Sequence, residues 1–76
     1  MSIIPVFTPR EMVALLLKAG FHILRQKGSH IRFQHPATGR ATTVAMHART
    51  LSRDLAATIL KQAGISASDL LRLLKR

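Results

Sequence analysis

The sequence contains no cysteine. Disulfide staples, thiol chemistry and cysteine-type zinc sites are therefore excluded, and a reducing cytoplasm is the expected location. Tryptophan and tyrosine are also missing, and phenylalanine occurs only three times. The core must be built from Leu, Ile, Val and Ala. Acids are scarce as well: Glu11, Asp54 and Asp69 stand against twelve Lys and Arg, a formal charge of +9 with His neutral. Three carboxylates are too few for a carboxylate-rich metal site, and they make an acid partner for His in a nucleophilic triad scarce. No apolar run is long enough to span a bilayer, and no segment has the pattern of a cleavable signal peptide.

The chain is 76 residues long and 47% hydrophobic. That length predicts one domain over residues 1–76, and that composition predicts a packed one. A small domain this basic attracts polyanions, so nucleic acid, an acidic protein or an anionic membrane are its candidate partners. A membrane is the weakest of these, because so small a chain needs its apolar helix faces for its own core.

Helix signals are clear at both ends of the chain. Thr8, Pro9 and Glu11 fit a capping box with Pro at the first helical position, and Phe7 and Met12 fit a hydrophobic staple. Met12, Leu15, Leu16 and Ala19 then recur at helical spacing up to Gly20, predicting a helix over about residues 9–19. Ser52 is placed to cap a second helix, with Asp54 in its first turn. Leu55, Ile59, Leu60 and Ala63 are its expected apolar face, and Gly64 its end. Ser66 to Asp69 opens a short last helix on which Leu70, Leu71, Leu73 and Leu74 form a broad apolar side.

Between the helices the periodicity changes to two. Residues 21–26, 29–35 and 41–46 read as strands, joined by turns at Lys27-Gly28 and at residues 36–40. In the middle strand Ile31 and Phe33 point one way, and His30, Arg32 and Gln34 the other. The order α-β-β-β-α with a tail helix predicts an α+β domain: a three-stranded antiparallel sheet with two helices on one face and the other face open. If Ile31 and Phe33 face the helices, His30 and Arg32 stand on the open face.

His22, His30, His35 and His47 are the four histidines, and no pair has the spacing of metal ligands. No metal and no cofactor is expected. His22 is expected to pack beside the first helix, His35 to be a turn residue, and His47 to anchor a loop through a backbone hydrogen bond. His30 differs. It follows a Gly turn among Arg25, Lys27, Ser29 and Arg32. A histidine can take or give a proton near neutral pH. Neighbouring cations keep such a ring available as a base, and they can hold a phosphate and the charge that builds on it. RNA brings its own nucleophile, the 2′-hydroxyl, so cleavage needs only a base, a charge stabiliser and help for the leaving oxygen.

The stretches Leu16 to Phe21, Arg25-Gln26-Lys27-Gly28-Ser29-His30, Phe33 with His35-Pro36, and Ile59 to Ile65 resemble the HicA toxins, in order and over nearly the whole chain. The resemblance implies a fold like a double-stranded-RNA-binding domain. It implies a toxin of a type II toxin–antitoxin system, a metal-independent endoribonuclease that cuts messenger RNA and blocks translation. It further implies that His30, in the Gly-Ser-His motif, is the essential residue, and that a HicB-type antitoxin is the protein partner. Two positions depart from the family pattern. Ala45 stands where relatives often have Pro before the later His, and Ile31 stands where relatives often have a second His. The first of these leaves His47 with no assigned role.

The expected catalytic residue is thus His30. Lys27 is the first expected phosphate contact, with Arg25 and Arg32 behind it, and Gly28 and Ser29 shape the turn. The rival readings are a module that binds RNA without cutting it and a basic protein whose ligand is an acidic partner.

Overall fold

The computed structural model describes residues 6–74. Helix α1 (Pro9–Lys18) leads into strands β1 (His22–Lys27), β2 (His30–Gln34) and β3 (Ala41–Ala45), followed by α2 (Arg53–Ala63) and α3 (Ala67–Leu74). The strands form one antiparallel sheet in the order β1-β2-β3. This is the α+β arrangement expected from the alternating periodicities.

Each helix starts where its capping chemistry places it. The Glu11 backbone N–H donates to Thr8 Oγ1 (3.1 Å), and the Thr8 N–H donates to Glu11 Oε1 (2.8 Å). Ser52 Oγ accepts from the Leu55 N–H at 3.1 Å. Ser66 and Asp69 repeat the reciprocal box at α3, at 3.1 and 3.3 Å. The hydrogen bonds with Ser66, assisted by the Arg72 guanidinium, hold the Asp69 carboxyl below its ordinary value.

The first two helices also end alike. Phe21 N–H reaches Leu16 O and Gly20 N–H reaches Leu17 O; Ile65 and Gly64 repeat the pair on Leu60 and Lys61. This closure requires a left-handed residue, and Gly20 (φ 98°) and Gly64 (φ 73°) supply it. The β2–β3 turn lies against both ends. A Cβ on Gly20 would meet His35 Nε2 at 2.9 Å, and one on Gly64 would meet Arg40 Nε at 2.7 Å.

The core joins Met12, Leu15 and Leu16 of α1 to Ile31 and Phe33 of β2, Val44 of β3, and Ile59, Leu60 and Ala63 of α2. Phe7 and Leu51 meet in an isolated bridge beneath it. The single buried polar side chain among the described residues, Thr42, donates to Gln62 Oε1 at 2.8 Å and ties β3 to α2.

Three expectations about side-chain placement are corrected. Ala56, not Leu55, completes the buried face of α2, and Leu55 is 43% exposed. On α3 only Leu70 is fully buried; Leu73 packs partly against the core, while Leu71 and Leu74 face solvent. Eight residues supply one narrow stripe, and a small core needs no more than that. His22 does not pack beside α1: it is exposed on β1, opposite Gln34. Strand β1 is exposed along its whole length, carries a register shift between Ile23 and Arg25, and leaves Ile23 and Leu24 half in solvent.

Candidate functional site

Residues opposite each other in antiparallel strands share a face. On β2, Ile31 and Phe33 are buried while His30 and Arg32 are exposed. The cross-strand partner of His30 is Lys27, and that of Arg32 is Arg25. The open face therefore carries a two-by-two array: Arg25 and Lys27 on β1, His30 and Arg32 on β2. On the other side of β2 the same face is paved with small residues, Ala45 beside His30 and Thr43 beside Arg32. Side chains of that size leave room above the sheet.

Like charges placed directly opposite each other destabilise a sheet. Among the described residues no acid pairs with them. Glu11 is used by its helix cap, and the ion pair found among the described residues joins Asp69 to Arg72 on α3. The array is suited to an external anion.

Gly28 and Ser29 form the turn between Lys27 and His30. Gly28 has φ 59°, and a Cβ built on it would meet nothing within 4 Å, so the turn needs glycine for its conformation and not for space. The end of β3 is held to this turn by the Met46 N–H, which donates to Ser29 O at 2.6 Å.

That bond delivers a second histidine. His47 Nδ1 lies 3.0 Å from Ser29 Oγ. Its ring stands edge-on to the His30 ring, with centroids 5.6 Å apart and an interplanar angle of 63°. The expected loop anchor through a backbone hydrogen bond is thus replaced by a side-chain bond to the Gly28-Ser29 turn. The β2–β3 register accounts for it: because His30 opposes Ala45, residues 46 and 47 run back along the Gly28-Ser29 turn.

His35 is a turn residue, as expected. Its N–H donates to Arg40 O, and its Nδ1 accepts from the Ala37 N–H at 3.1 Å. Its ring meets Phe21 edge-on at 5.2 Å. These contacts belong to the fold and lie apart from His30. Among the described residues, no three His, Asp or Glu side chains gather as a metal ion would need. No helix is long and apolar enough to cross a membrane among them either.

The geometry brings together two imidazoles, a hydroxyl bonded to one of them, and three cations on an open, small-residue floor. Such a group can move a proton at two points and hold a phosphate between them. A family model described as the HicA toxin of bacterial toxin–antitoxin matches residues 9–65 of the chain. The match runs from the first residue of α1 to the residue after Gly64, and so includes every residue of the array and the turn. No curated protein matches the chain.

Proposed function

The chain belongs to the HicA toxin family of toxin–antitoxin systems, and from that premise we propose that it is a metal-independent endoribonuclease that cleaves messenger RNA. Membership makes it a toxin with an antitoxin partner. The observation that carries the catalytic reading is the pairing of His30 with His47 beside uncompensated cations.

In this reading one imidazole, assigned to His30, takes the proton of the 2′-hydroxyl as its oxygen attacks the adjacent phosphorus. The bond from phosphorus to the 5′ oxygen breaks, and His47 gives that oxygen its proton. The products are a 2′,3′-cyclic phosphate and a free 5′-hydroxyl. Lys27, directly opposite His30, holds the phosphate, with Arg25 and Arg32 behind it. Ser29 orients His47 through its hydroxyl. Gly28 sets the turn.

The antitoxin is of the HicB type in this reading, and it covers the same face. At the β1 edge that borders this face, exposed Ile23 and Leu24 add apolar area to the charge of Arg25 and Lys27 for an acidic partner. Complex formation should then slow hydrogen exchange across residues 25–33, and unchanged exchange there would count against this mode of inhibition.

The direct test incubates the protein and its His30→Ala variant with a defined messenger RNA in excess chelator and maps the ends. Cleavage by the parent with cyclic phosphate ends, reduced by about 10²–10⁴ in the variant, is expected. Intact RNA in both, with a shifted band on a gel, would replace the nuclease with an RNA-binding module.

A further inference from the structure

Along β2 from His30, Arg32 borders a groove of about 470 Å³. Arg32, Ala41 and Thr43 of the sheet form one side, and Leu55, Thr58 and Gln62 of α2 the other, with Ile59 at the base. The positions 55, 58, 59 and 62 follow the spacing of a single helical stripe. This stripe is offset from the one that fills the core, Ala56, Ile59, Leu60 and Ala63. Leu55 therefore owes its place in the groove to no demand of the core.

The chemistry of the two sides differs. Arg32 Nη1 donates to Thr43 Oγ1 at 3.2 Å, which holds the guanidinium against the sheet. Across from it stands the aliphatic surface of Leu55 and Ile59. The rim has polar valence left over. Thr58 gives its hydroxyl proton to Asp54 O (2.9 Å), so its oxygen can still accept. Gln62 accepts from Thr42 through Oε1, so its amide N–H groups can donate.

A planar cation, an aliphatic wall, one acceptor and one donor match a heteroaromatic base, whose faces are apolar and whose edge carries both donors and acceptors. A bare phosphate would not use the aliphatic wall, and an aliphatic side chain would not use the arginine. Arg32 lies two residues from His30 on the same face, about 7 Å along the strand. That step is the scale of one nucleotide.

We propose that this groove is a nucleobase subsite that seats the base next to the cleaved phosphodiester and determines where the RNA is cut. The proposal rests on the RNA-cleaving reading for its consequence, though not for the binding itself.

The test uses the full chain, labelled with nitrogen-15, and a 2′-O-methyl tetranucleotide that cannot be cleaved. Expected are shifts at Arg32, Thr43, Leu55 and Gln62, lost when one nucleotide is made abasic, while shifts at residues 27–30 persist. Equal groove shifts from the abasic oligomer, or a silent groove beside a responding turn, would overturn the subsite. A second measurement uses Leu55→Gln, a helix-compatible change at a half-exposed position. Its KM for messenger RNA should rise about tenfold, the scale of one lost apolar contact, and its preference among cut positions should flatten. An unaltered cut pattern and KM in a folded Leu55→Gln protein overturns the subsite and leaves the nuclease standing. Groove shifts from a parent protein that cuts no RNA support the subsite and remove the nuclease.

Discussion

Ser29 and His47, 18 residues apart in the chain, share a side-chain hydrogen bond of 3.0 Å, and it sets the His47 ring edge-on to His30. A serine in a glycine turn can serve the backbone alone. Here its backbone carbonyl holds Met46 and its hydroxyl holds His47, so one residue fixes both the end of β3 and the second imidazole.

From this relationship His47→Ala is expected to lower single-turnover cleavage by about 10²–10⁴, comparable to His30→Ala. Ser29→Ala should cost less, because it loosens His47 without removing it. Thermal melts serve as the control for folding. Parent-like rates in His47→Ala would reduce the Ser29–His47 bond to a structural tie.

The opposed arginines make a second prediction, in which stability and binding move in opposite directions. Arg25 and Arg32 face each other across the β1–β2 ladder with no counter-ion among the described residues. Like-charge pairs of this kind cost a few tenths to about 1 kcal/mol. Arg25→Thr should therefore raise the melting temperature slightly, and most at low salt. The same variant should bind single-stranded RNA less tightly, with the slope of log K against log salt reduced by about 0.7. A lower melting temperature with an unchanged salt slope would show that Arg25 serves the strand and not the ligand.

Much of the fold was legible because its signals are local. Thr8 with Glu11, Ser52, and the two Ala-Gly pairs act within a few residues of themselves, and each cap formed as read. The face of His30 was legible for the same reason, since alternation along one strand decides it. His47 was not, because its partner is set by the register of a different strand pair. Leu71 and Leu55 misled because helical spacing shows which residues share a stripe, while the position of the neighbouring element decides which stripe is covered. His22 misled because the strand register decides its face: opposite Gln34 on the exposed edge strand β1, it stands on the same face as His30 and Arg32.

The twin helix ends allow a paired comparison. Gly20→Ala and Gly64→Ala both force a side chain into left-handed backbone, which costs about 1–2 kcal/mol. Their neighbours differ. His35, above Gly20, is pinned by the Ala37 N–H and by the Phe21 ring. Arg40, above Gly64, is an exposed and flexible chain. Gly20→Ala should be the more destabilising of the two in denaturant titrations. Equal losses would mean that backbone strain alone sets the cost and that His35 gives way freely.

The last prediction concerns acid. The Ser66 hydroxyl and backbone N–H both bond to the Asp69 region of α3, and these bonds, with help from Arg72, hold the Asp69 carboxyl below its ordinary value. A carboxyl whose folded value lies below its unfolded one contributes stability that is fully present above the unfolded value, about 3.9. That contribution disappears as pH falls through the folded value. The start of α3 should thus loosen below about pH 4. Amide shifts and exchange at Ser66 and Asp69, followed from pH 6 downward, would report it directly. Asp69→Asn should lack the transition and should fray α3 at every pH, because the amide accepts from Ser66 more weakly than a carboxylate does. An identical acid transition in Asp69→Asn would place its origin in another carboxyl.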